Sequence, residues 1–352
     1  MNNESLAFLK ELLETSAPAG FESPAQNVFK NFVTPCADQI ETDVHGNVMA
    51  LKKGKGNRRI MLSAHIDEIG FVVKYISDDG FIHFASIGNV DYALLPGLRV
   101  TIYHEGNMIR GIVGTRPLHT FKHFVRDKVV TLEDLWIDIG AKNKQEAQEM
   151  VSVGDYMTFS PGVDFLPNHL IATKAADNRV SVFIIASVLR NLAHEEINTN
   201  IYFVSSVQEE TWIRGAITST FQIEPHIGIA LDLTHATDYP TIDKTYFSDI
   251  KLNQGPVIVT GSYVNQPIFK FLKNLAKEKN ISHQIEAVPI QTYTDVDAMQ
   301  ISKAGVATGL ICIPNRYMHS PSEMVSLSDV EGAIDLLTHF CRKMDDHVNL
   351  IP

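Results

Sequence analysis

At 352 residues, 45% hydrophobic and 20% charged, the chain has the makeup of a folded globular protein, long enough for one large domain or two. Its formal net charge of −11 offers no cationic footprint for nucleic acid or an anionic membrane. The three cysteines, Cys36, Cys312 and Cys341, lie far apart with no CxxC spacing, which excludes a disulfide framework and suggests buried thiols at the last two.

The N-terminus, MNNESLAFLKELLETS, has neither a basic n-region nor an uninterrupted apolar h-region, and no apolar run reaches the ~20 residues of a membrane-spanning helix, so a cytoplasmic protein is expected. Ser5 is a candidate cap for a first helix carrying Leu6, Leu9, Leu12 and Leu13 on one face. Pro18, Gly20 and Pro24 break that pattern before a second amphipathic helix with Val28, Phe29 and Phe32 inward. DVHGNVMALKKG and RRIMLSAHIDEIGFVV then read as β-structure split by a Gly/Lys turn.

Between about 70 and 165 the texture changes to short alternating runs, such as GLRVTIYH and DYMTFSP, punctuated by Gly and Pro. This predicts a small β-rich unit. Beyond it, helical and buried-strand patterns alternate (RVSVFIIASVLRNLA, NIYFVSS, IGIALDL, QPIFKFLKNLAKEKN, GLICIPN) to a last helix with a candidate capping box, Ser328-x-x-Glu331. Such alternation signals an α/β fold: a mixed, largely parallel central sheet flanked by helices. Residues 1–69 and 166–352 would form that discontinuous domain, with residues 70–165 inserted as the β-rich one.

Charged or imidazole groups follow the buried strands. IMLSA runs into His65-Ile66-Asp67-Glu68, YFVSSVQ into Glu209-Glu210, GIAL into Asp232, and LICIPNRYM into His319, while Asp177 precedes a helix in KAADNRVS. Sites in open α/β sheets gather beyond the carboxyl ends of strands, so these residues have a place to converge. Imidazole with carboxylate suits zinc, cobalt or manganese, and two metals can share a bridging carboxylate. In His65-x-Asp67 the strand period puts both side chains on one face, where Asp67 can fix the tautomer of His65. Of the adjacent Glu209 and Glu210, one can bind metal while the other serves as general base, provided the strand end bends. Singly, each residue has an ordinary role as a cap, a turn or a solvated pair; their conjunction at strand ends points to one site.

At these residues the chain resembles the tetrahedral-aminopeptidase family of co-catalytic metallopeptidases, which includes glutamyl and deblocking aminopeptidases and members labelled cellulase-like. TDVHGNVMA, AHIDEIGF, GIVGTRPLH, KAADNR, SVQEE, LDLTHATDYP, TDVDAMQISKAGV and NRYMHSP carry the likeness over nearly the whole chain. The resemblance implies an aminopeptidase with two divalent ions per chain, zinc first among zinc, cobalt and manganese. It implies His65 and Asp232 on one ion, Glu210 and His319 on the other, Asp177 as the bridge, Glu209 as general base and acid, and Asp67 orienting His65. It also implies peptide substrates, a dimerisation role for the insert, and homo-oligomers in which dimers build a tetrahedral dodecamer. The chain departs from the pattern at Trp212, where a small residue is usual, and at Thr292-Tyr293-Thr294-Asp295, which lacks two glycines; the role of His119 in TRPLH is left open. The rival readings are a glycoside hydrolase, which needs two carboxylates and usually no metal, and a non-catalytic scaffold of the same fold.

Overall fold

A computed structural model describes residues 1–120 and 129–352. In chain order the first strands are β1 (Gln39–Thr42), β2 (Val48–Lys52) and β3 (Arg59–His65). There follow β4 (Gly70–Ile76), β5 (Ile82–Ile87), β6 (Arg99–His104), β7 (Asn107–Thr115), β8 (Leu135–Asp138) and β9 (Tyr156–Phe159). The remainder are β10 (Val163–Leu166), β11 (Leu170–Thr173), β12 (Asn200–Ser206), β13 (Ile227–His235), β14 (Val257–Gly261), β15 (Gln284–Val288), β16 (Ala307–Arg316) and β17 (Glu323–Ser326). Strands β4–β9 close into a separate antiparallel barrel around Phe71, Val100, Ile102, Ile137 and Met157. All the others join one sheet, ordered β1-β2-β12-β3-β13-β16-β17-β11-β10, with β14 and β15 attached to β16. Strand β10 thus already belongs to the large sheet, through its pairing with β11.

The sheet is parallel at its centre, β12-β3-β13-β16, and antiparallel outward on both sides. Central strands read as unbroken apolar runs because both of their faces are covered. Ile60, Leu62, Ile229, Leu231, Ile311 and Ile313 enter a core with helices α1 (Asn3–Glu14), α2 (Ser23–Val33), α4 (Ala176–Leu192) and α9 (Leu327–Lys343). The alternate residues Met61, Val204, Ala230, Leu310 and Cys312 enter a second core with α5 (Arg214–Ile223) and α8 (Asp295–Gln300). That period of two is what aims the polar residues at the strand ends. It sends Ser63, His65 and Asp232 to the α5/α8 face along with Met61 and Ala230. The short helices α3 (Lys144–Gln148) and α6 (Lys244–Phe247), and the amphipathic α7 (Gln266–Glu278), complete the described helices.

Two helix starts differ from expectation. Asn2, not Ser5, caps α1, its side chain accepting the Ser5 N–H at 2.8 Å. Ser326 caps α9 by accepting from Ser328 N and Asp329 N, while Glu331 pairs with the N-terminal ammonium instead of closing a capping box. In both cases an earlier polar side chain reached the free N–H groups first. Cys312 and Cys341 are buried free thiols and Cys36 is half-buried. No described helix is long and apolar enough to cross a membrane.

Candidate metal centre

Every predicted ligand converges at the carboxyl edge of the sheet. His65 is the last residue of β3, and Asp232 lies inside β13, whose first residues run parallel with β3. Asp177 sits in the first turn of α4 with φ −76° and ψ 107°, an excursion from helical geometry that turns its carboxylate toward the strand ends. His319 lies three residues beyond β16 at φ +60°. Glu209 and Glu210 follow β12 past Gln208 at φ +56°, which supplies the bend that two adjacent residues need to face one site.

The distances divide the cluster in two. His65 Nε2 lies 3.3 Å from Asp177 Oδ1, 3.7 Å from Glu209 Oε2 and 4.0 Å from Asp232 Oδ1. His319 Nε2 lies 3.6 Å from Asp177 Oδ2 and 3.4 Å from Glu210 Oε1. The sets His65, Asp177, Asp232 and Asp177, Glu210, His319 each offer ligand atoms within 4.8 Å of one another, and Asp177 is common to both. Its two oxygens face different imidazoles.

The electrostatics fit a cationic centre. Burial by itself pushes Glu209, Glu210 and Asp232 above the usual carboxylate range, and the neighbouring carboxylates add to the rise. Burial would raise Asp177 too, but His319 and His65 hold it low. His319 is drawn up to about 11, its burial outweighed by Asp177 and Glu210. Four buried carboxylates and two imidazoles are mutually compensated best by divalent cations. Asp177 Oδ1, buried and accepting no hydrogen bond, is the free ligand atom such an ion requires.

Asp67 is buried behind this cluster, as its sequence position suggests, but its contacts are broader than expected. His65 Nδ1 meets the backbone carbonyl of Asp67 at 3.2 Å, with the carboxylate 3.5 Å away. The Asp67 carboxylate accepts the backbone N–H groups of Glu209 and Glu210, each at 3.1 Å. One side chain therefore serves both halves of the bend.

Sequence reading missed the second layer. Glu68 is buried between Lys174 and Arg179, and Asp295 accepts hydrogen bonds from Ser63 and Ser206 at 2.6 and 2.7 Å. The acidic pair Asp67-Glu68 was visible as a motif; its cationic partners, Lys174 just after β11 and Arg179 in α4, carry no local signal.

The cluster opens into a cavity of about 1190 Å³. Trp212 lines it at φ +84° and is 84% exposed, so the indole does not pack into a core. Tyr293 lines it at φ +57° and is 72% exposed; Asp297 accepts from the backbone N–H groups of Thr292 and Tyr293 and holds this glycine-free loop in shape. His119 is exposed and is not among the cavity residues.

An α/β sheet with an inserted barrel and a buried carboxylate–imidazole centre at its carboxyl edge defines the class: α/β proteins built around a divalent-cation site. A model of the M42 glutamyl aminopeptidase family matches residues 46–336, and the chain belongs to that family. It is 33% identical to the lysyl aminopeptidase of Pyrococcus furiosus over 93% of this chain and 94% of that one. A TET aminopeptidase from the marine sediment archaeon Thaumarchaeota archaeon SCGC AB-539-E09 superposes with TM-score 0.94 at 31% identity, covering 98% of each chain. The TET1 peptidase of Pyrococcus horikoshii, described as assembling into a tetrahedron or a large octahedral shell, does so at 0.86 and 28% identity, over 97% of this chain and all of that one.

Proposed function

We propose that the protein is a metal-dependent aminopeptidase that removes residues from the free amino terminus of peptides. Two divalent ions, zinc before cobalt or manganese, would be held by His65 and Asp232 on one side, Glu210 and His319 on the other, and Asp177 between them. Bound there, they would supply Lewis acidity that acidifies water and polarises a peptide carbonyl. The observation that carries this reading is Asp177, whose Oδ1 faces His65 and whose Oδ2 faces His319.

The chain's own residues do the remaining work. Glu209, with Oε2 3.7 Å from His65 Nε2, lines the cavity, and burial raises its affinity for a proton. At Glu209 Oε2 a proton is accepted from the attacking water and then handed to the leaving amine. Asp67 keeps Glu209 and Glu210 pointing at the same place. Exopeptidase action and peptide substrates rest on the family and its relatives.

We also assign the inserted barrel, β4–β9 over residues 70–159, to a dimerisation unit and the rest, β10 included, to the catalytic domain, with dimers building a larger particle like those of the TET relatives. Exposed apolar side chains on barrel strand β7, Met108 and Ile112, support an interface there. Glu209→Gln tests the mechanism. It should retain bound metal and lose turnover by ~10²–10⁴-fold on aminoacyl substrates; equal rates for variant and wild type would remove Glu209 from the role. Chelator-sensitive cleavage of peptides, with no cleavage of glucans, separates this reading from a glycoside hydrolase.

A further inference from the structure

We infer that Glu323 is a positioning residue that sets the Asp177–His319 half of the centre, an inference that rests on the two-metal reading above. Glu323 opens β17 and is 2% exposed. Its Oε2 accepts the backbone N–H of Asp177 and its Oε1 that of His319, both at 2.8 Å. One carboxylate thus ties together two residues from distant parts of the chain.

The need for such a tie follows from where the ligands sit. His65 and Asp232 lie on strands, where the ladder fixes their backbones. The other members of the cluster lie in irregular backbone. Asp177 departs from helical geometry just after Ala175 at φ +56°, and His319 holds φ +60° two residues beyond Tyr317 at φ +63°. Left-handed conformations at such residues persist only where the surroundings over-determine them. Glu209 and Glu210 are in the same position, and there Asp67 accepts both backbone N–H groups.

The molecule therefore uses one device twice. Asp67 behind Glu209 and Glu210, and Glu323 behind Asp177 and His319, each accept two backbone N–H groups and leave the gripped side chains free for the site. Glu323 is itself well anchored: it stands opposite Thr173 in the β11–β17 register, at the end of the strand that leads into α4. The strand that delivers Asp177 and the strand that carries the clamp are hydrogen-bonded neighbours.

Only a carboxylate can accept at both oxygens. A glutamine of the same shape would turn an NH₂ group toward one of the two N–H donors. The test is calorimetric titration of metal-free, full-length wild type, Glu323→Gln and His319→Ala with Zn²⁺, together with kcat and KM on an aminoacyl substrate. In wild type two ions should bind. In Glu323→Gln one ion should weaken by ~10–100-fold, the range seen when groups supporting metal ligands are removed, and it should be the ion that His319→Ala loses. The other ion should stay within about threefold of wild type, and the kinetic loss should fall on kcat rather than KM.

Unchanged binding of both ions, or equal weakening of both in step with a lower melting temperature, would overturn the inference and reduce Glu323 to a fold-stabilising group. Fewer than two ions in wild type would overturn the two-metal reading itself, and the inference with it. Should Glu323→Gln fail to fold, Glu323→Asp carries the same test, because it keeps the charge but draws the carboxylate back by one methylene.

Discussion

Replacing Glu68 by Gln removes the buried charge that pairs with both Lys174 and Arg179. Glu68 Oε1 accepts from Ala17 N at 2.8 Å, Lys174 Nζ at 2.7 Å and Arg179 Nη2 at 2.8 Å, and Oε2 accepts from Lys174 Nζ at 2.7 Å. Arg179 also donates to the carbonyls of Leu12, Thr15 and Ile66, so the cluster ties α1 and the end of β3 to α4. Burial opposes ionisation of both Glu68 and Lys174. Its partners overcome it for Glu68, whose pKa stays low, but not for Lys174, which burial pulls down to about 8. Breaking one member of a buried ion cluster costs ~3–5 kcal/mol. An unfolding entropy of about 2.1 cal/mol/K per residue gives roughly 0.7 kcal/mol/K for 352 residues, so the melting temperature should fall by ~4–7 °C.

The deficit also has a pH signature. Without Glu68, Lys174 loses its stabilising anion and its folded pKa drops further below 8, while the unfolded lysine remains near 10.5. Just below pH 8 the folded variant then binds fewer protons than the folded wild type, with the unfolded states alike. Its stability relative to wild type therefore rises with pH in that window. In acid the sign comes from Glu68: its folded pKa is depressed, so its contribution is complete above the unfolded value of 4.5 and disappears as pH falls through the folded value. Calorimetric melts of full-length wild type and Glu68→Gln at pH 4, 6 and 8 should show the largest gap at pH 6. A gap under about 1.5 °C at pH 6, or one that widens toward pH 8, would refute the reasoning.

Two further outcomes are expected. Loading with divalent metal should raise the melting temperature, since an ion at 100 times its Kd adds ~2.7 kcal/mol, and a chelator should reverse the gain; Asp177→Asn should erase most of this difference because both triads share that carboxylate. Trp212→Ala should leave stability within ~0.5 kcal/mol, as the indole is 84% exposed, while changing KM across a panel of aminoacyl substrates; a large drop in melting temperature would show the indole to be a packing residue instead.

The sequence alone determined which residues would meet. A buried strand announces itself by a local apolar run, and the polar group that ends it is local too, so His65, Asp232, Glu209-Glu210 and His319 were legible without knowledge of the strand order. The barrel was legible for a similar reason, because its alternation and Gly/Pro punctuation differ from the runs on either side. Tertiary structure decided how these residues are held. The order β12-β3-β13-β16 brings the strand ends together, and the excursion at Asp177 aims one oxygen at each imidazole. Partnerships across the fold were invisible beforehand: Glu323 with the backbones of Asp177 and His319, Glu68 with Lys174 and Arg179, Asp295 with Ser63 and Ser206. Even the caps on α1 and α9 depended on which nearby side chain reached the free N–H groups. Periodicity along one strand records where a side chain points; which distant backbone it must hold in place is set only when the strands are arranged in space.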